Sequence, residues 1–187
     1  IFCNRSTCGD RSGEILMAVI YKNFRSVVLN SGPLILLYYL SISEIDTQFS
    51  NLFEILSFNL QIIIIYYWFL KDASILGSGH VFLAGIINDV VMGLPLGLSS
   101  ISYLIVAFIA TYIKNVTVNF SLFTDWFTFI LAIFFSNLST MILLSNWSDI
   151  IITYTDLFYN AFFTFLFYPA LWLIFDVYKK LMVVRDD

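Results

Sequence analysis

The chain reads as an all-α integral membrane protein with six transmembrane helices and both termini on the cytoplasmic side. Three observations carry that expectation. First, 60% of its 187 residues are hydrophobic and only 12% charged, whereas charged residues make up about a quarter of an ordinary soluble chain. A mean hydropathy of +0.89 agrees. Second, the apolar residues fall into six stretches near the length of about 20 residues that crosses roughly 30 Å of hydrocarbon. Third, the few charges are sorted by sign along the chain. A water-soluble globule is excluded, because its surface would need far more polar side chains. Nucleic-acid binding is unsupported: the net charge is −4 and the nine Lys and Arg form no basic stripe.

The six stretches run over 26–43, 53–70, 79–97, 98–114, 126–145 and 157–176. Asn30, Ser31, Gly32 and Pro33 interrupt the first near its start. The third and fourth meet at Gly93-Leu94-Pro95-Leu96-Gly97, a turn signal. Fused into one helix of about 36 residues they would span about 54 Å, too long for one crossing, so they form a hairpin. The organisation expected is a cytoplasmic tail over 1–25, a six-helix domain over 26–176 and a short charged tail over 177–187. Six spans leave roughly 70 residues for everything else, too few for a soluble catalytic domain.

Charge sets the orientation. With six spans, Arg5, Arg11, Lys22, Arg25, Lys71, Lys114, Lys179, Lys180 and Arg185, which are all the basic residues, share the side of the termini. Glu44, Asp46, Glu54, Asp149 and Asp156 lie on the other side. Short loops rich in Lys and Arg stay in the cytoplasm, so both termini are expected inside. Trp68, Trp126 and Trp172 fall near the inner ends of spans two, five and six, and Trp147 in an outer loop. All four suit interfacial aromatic belts. The first 25 residues lack the apolar stretch and cleavage site of a signal peptide. Cys3 and Cys8 in this tail have no nearby His and make no zinc site.

Asp89 is the acid expected deep in a span. Ten residues beyond Gly79, it would lie about 15 Å in, close to the midplane. An Asp there costs about 2.5–3.5 kcal/mol on insertion scales and must face protein or water. It serves either a functional site or a hydrogen bond tying helices together. Gly85, Asp89, Gly93 and Gly97 recur every four residues, so on a continuous helix they form one small-residue stripe along which a neighbour can pack closely. If spans two and three are antiparallel about 71–78, Gln61 lies level with Asn88 and is expected to contact Asn88 or Asp89. Ser136, Asn137, Ser139 and Thr140 on span five form a second polar lining or ordinary interhelical hydrogen bonds. His80, at the mouth of span three, suits an interfacial role. No catalytic triad, HExxH helix, phosphate loop or paired carboxylate is present, so neither enzyme activity nor a cofactor or metal is expected.

Gly77-Ser78-Gly79-His80 followed by Gly85-Ile86-Ile87-Asn88-Asp89-Val90-Val91-Met92-Gly93-Leu94-Pro95-Leu96-Gly97 resembles the signature of the MreD family of rod shape-determining membrane proteins. Tyr67-Trp68 at the end of the preceding helix, and Tyr168-Pro169 before Lys179-Lys180, extend the resemblance over roughly residues 50–187. It implies a non-enzymatic scaffold subunit of the cell-elongation (rod) complex in the bacterial inner membrane, supporting lateral peptidoglycan synthesis. The partners implied are the bitopic MreC protein, the actin-like MreB filament, and RodA with its transpeptidase. The fold implied is similar to the S components of energy-coupling-factor transporters. A substrate-binding S component for a vitamin or other small molecule is the alternative. There Asp89, Gln61 and Asn137 would be ligand contacts.

Overall fold

The computed structural model describes residues 31–43, 59–117, 121–145 and 154–183. Over these residues the chain is all-helical, in six helices: α1 (Ser31–Ile42), α2 (Leu60–Leu76), α3 (Ser78–Val91), α4 (Leu98–Val116), α5 (Leu122–Ser145) and α6 (Tyr154–Val183). Three stretches, Leu98–Val116, Leu122–Ser145 and Leu157–Lys180, are long and apolar enough to cross a membrane. The expected tail over 1–25, with Cys3 and Cys8, lies outside the described residues, as does Trp147. Helix α6 continues past the expected edge at 176 as far as Val183.

Local chemistry sets the helix ends. Asn59 caps α2 by accepting from the Ile62 amide at 3.1 Å, and Ser121 accepts from the Thr124 amide at the start of α5. Gly77, at φ 63°, separates α2 from α3. Helix α2 is broken internally at Asp72, whose backbone is non-helical. Helix α6 carries Pro169 in its interior. Proline has no N–H for the carbonyl four residues earlier, which here is Phe165 O. The Trp126 indole donates to that carbonyl at 3.0 Å and its ring stacks on Phe165. A helix defect becomes the α5–α6 joint.

The core is built round α2. Every residue from Ile62 to Leu70 is at most 6% exposed, and a helix apolar on all sides belongs in the middle of its neighbours. Helix α2 packs chiefly on α4, then α6, and only lightly on α3, while α3 and α5 each pack closely on α4. Rings fill the α2–α5–α6 space: Tyr66 lies 4.9 Å from Phe129, and Phe129 stacks on Tyr168 at 4.3 Å. The outer faces of α5 and α6 are apolar and exposed, with Phe123, Phe127, Phe134, Phe158 and Phe162 all more than half exposed. Lipid is the solvent such a surface matches.

Candidate functional site: two polar clusters at opposite ends of the helices

The first cluster gathers where α1 and α3 end and α2 and α4 begin. Gln61 Nε2 donates to Asn88 Oδ1 at 3.1 Å and to Ser41 Oγ at 3.4 Å. The Tyr103 hydroxyl donates to Gln61 Oε1, and Asn88 Nδ2 donates to Ser99 Oγ at 3.0 Å. Asp89, completely buried, accepts from the Gly97 amide at 2.8 Å with one carboxyl oxygen and from the Ser99 amide at 2.9 Å with the other. These amides are among the unpaired donors at the start of α4. Gly97 has no side chain to cap them, so Asp89 reaches across from the preceding helix, at the positive end of the α4 macrodipole.

Gln61, Asn88 and Asp89 are therefore brought together at the level the residue count gives. The depth differs from expectation. Asp89 is two residues from the end of α3, not at the middle of a span, because the helix stops at Val91 instead of running to 97. The stripe of four small residues is also corrected. Gly93 (φ 64°) and Gly97 (φ 98°) lie in the connecting turn, and a side chain at either would meet nothing within 4 Å. Gly93 occupies the left-handed position that closes α3, with the Leu94 amide returning to Asp89 O at 2.9 Å. Only Gly85 packs as the stripe requires: a Cβ there would sit 2.6 Å from the Ser100 amide nitrogen. Gly93 and Gly97 act through backbone conformation, in a turn where four-residue periodicity carries no face.

The polar residues of span five divide. Ser102 of α4 bonds Thr140 Oγ1 at 2.9 Å and Ser139 Oγ at 3.3 Å, as interhelical contacts do. Asn137 instead faces a cavity of about 540 Å³ between α5 and α6, otherwise lined by apolar side chains such as Ile133, Phe134, Met141 and Phe162. His80 is exposed and its Nδ1 lies 3.1 Å from the Tyr38 hydroxyl, linking α3 to α1.

The second cluster lies at the other end. Lys71 Nζ forms an ion pair with Asp125 Oδ2 at 2.7 Å, with Asp125 1% exposed. The Trp172 indole donates to the same oxygen at 2.9 Å, and its ring lies 5.7 Å below the Lys71 ammonium. At the break beside Asp72, Lys114 Nζ donates to the Lys71 carbonyl at 3.4 Å. Sequence reasoning missed this pair. Asp125 falls one residue before the expected start of span five, and Lys71 one residue past the end of span two. Their shared side and adjacent tryptophans were the available signal. The belt assignment is corrected for Trp68, which is 1% exposed; Trp126 and Trp172 are partly exposed and turn their indole N–H groups inward.

Among the described residues no group of three or more His, Cys, Asp or Glu is placed to hold a metal ion. No protein-family model, curated protein or solved structure matches the chain.

Proposed function

We propose that this chain is a non-enzymatic, six-span scaffold of the MreD type in the bacterial inner membrane, with both termini cytoplasmic. Its work is to hold partners of the cell-elongation machinery: an MreC-like bitopic protein, the MreB filament, and RodA with its transpeptidase. One observation supports this reading above the transporter alternative. The polar groups that a ligand would need are already used: Gln61 and Asn88 bond each other and neighbouring side chains, and Asp89 bonds the α4 amides. Asn137, the third ligand contact expected of an S component, faces a separate cavity between α5 and α6. A buried polar network with its partners in place rigidifies helices. The extensive apolar face on α5 and α6 leaves room for membrane partners.

The test is affinity purification of the tagged protein from bacterial membranes, with identification of what co-purifies. An MreC-like protein and RodA are expected. A coupling subunit with paired ATPases, or a bound vitamin, would replace the scaffold by the transporter component. Cysteine labelling from each side of the membrane checks the six crossings.

A further inference from the structure

Among the described residues, the end of the bundle that holds Lys71 carries Lys71, Lys114, Lys179 and Lys180 against Asp72, Asp125 and Asp176, an excess of one positive charge. Lys71 is paired with Asp125, and Lys180 with Asp176 at 2.7 Å. Lys114 and Lys179 make no ion pair among the described residues, yet both are half-buried. The charged neighbours of Lys179 are Asp72, Asp176, Lys71 and Lys114. The geometry agrees: Tyr178, the preceding residue, sets its ring against Trp68 at 6.2 Å, one turn of α2 before Lys71. Lys114 meets Lys71 directly, through the carbonyl at the α2 break. Lys71, Lys114 and Lys179, from α2, α4 and α6, are thus charged neighbours at the end of the bundle that holds Trp68, Trp172 and Tyr178.

We propose that Lys114 and Lys179, supported by Lys71, bind the phosphate of an anionic phospholipid headgroup. Converging cations hold a phosphate as point charges. Basic pockets between membrane helices take anionic headgroups, with about 1 kcal/mol from each Lys near the surface. Half-buried lysines beside an aromatic cluster direct their stems along apolar surface and their ammonium groups to the headgroup layer. That placement favours a lipid over an acidic peptide, which would approach from water. The site rests on the membrane-spanning reading and is independent of the elongation partners.

The full-length protein, recovered from the membrane fraction and purified in mild detergent, is titrated with phosphatidylglycerol or phosphatidylcholine, and bound lipid is counted by native mass spectrometry. Phosphatidylglycerol is expected to bind preferentially. K114Q/K179Q is expected to weaken that preference by about fivefold for each lysine removed. K114R/K179R retains it, and so does Lys180→Gln, which removes a lysine already paired. If the double glutamine variant does not fold, Lys179→Gln near the end of α6 carries the same prediction. Equal binding of the two lipids, or a preference unchanged by the glutamines, overturns the proposal. So does displacement of the lipid by millimolar inorganic phosphate, which assigns the site to free phosphate, or by a short polyglutamate peptide, which assigns it to an acidic protein.

Discussion

The two polar clusters solve one problem, buried polarity among apolar helices, in different ways. At the Asp89 end a carboxyl group is satisfied by backbone amides, and Gln61, Asn88, Ser99 and Tyr103 form a neutral chain of hydrogen bonds. At the Asp125 end a carboxylate is satisfied by a lysine and an indole. In the first, the amide contacts of Asp89 span only 8 and 10 residues and fix the α3–α4 turn, while Gln61 reaches Asn88 and Tyr103, 27 and 42 residues away. The second joins α2, α5 and α6, separated by as many as 54 residues along one link and 47 along another. Backbone amides at a helix start are present wherever the helix forms. An ion pair exists only when distant segments have already met. The Asp89 carboxyl therefore specifies a local hairpin, Gln61 ties that hairpin to α2, and the Asp125 cluster sets the packing of α2, α5 and α6.

The largest expected effect is at Asp125. Asp125→Ala breaks the Lys71–Asp125 pair, and removing one member of a buried pair costs about 3–5 kcal/mol. Unfolding of the purified protein in mixed detergent micelles measures it. Replacing both residues, as K71M/D125L, is expected to recover most of the loss; a double variant as unstable as Asp125→Ala alone would make the charges themselves essential. Next, Gly85→Val forces a side chain into the Ser100 backbone, and overpacking costs about 1–3 kcal/mol. Gly93→Val meets no atoms and is penalised through its positive φ alone, also at about 1–3 kcal/mol. Asparagine, which tolerates positive φ, is expected to cost less than valine at Gly93 and to bring no such relief at Gly85, where any Cβ meets the Ser100 backbone, which separates close approach from backbone conformation.

Asp89→Asn keeps one accepting oxygen and loses the other, so a loss of about 1 kcal/mol is expected, and Asp89→Leu loses about 2 kcal/mol as the cap disappears. If Asp89→Leu is as stable as the parent, the capping account fails. The smallest effect has the opposite sign. Among the described residues the hydroxyls of Tyr67 and Tyr168 are buried without a hydrogen-bond partner, so Tyr168→Phe removes an unsatisfied group and is expected to be neutral or to stabilise by about 1 kcal/mol. A clear destabilisation would instead mean that water occupies that position.

Residue counting located the contact between Gln61 and Asn88, because antiparallel segments on either side of a short connection hold equal depths whatever their lateral packing. It misplaced Asp89 along the helix, since hydropathy continues through Leu94 and Leu96 while the backbone has already turned at Gly93. Hydropathy also cannot tell an apolar helix facing lipid from one enclosed by other helices. That is why Trp68 reads as an interfacial residue and proves to be core. Asp125 was hidden for a related reason. A charged residue at the edge of an apolar stretch looks like loop until a distant lysine is known to meet it.

Helix α2 also has a consequence for synthesis. Its first amide, that of Asn59, donates to Thr164 Oγ1 at 2.9 Å, 105 residues further on. Tyr66 and Tyr67 are likewise covered by rings from Phe129, Tyr168 and Phe175. The segment at the centre of these helices thus leaves the ribosome well before the helix that seals it. Until residues 154–183 have entered the membrane, an aromatic surface made for the interior is turned outward, and a chain stopped short of Tyr168 presents that surface to whatever waits beside the insertion site.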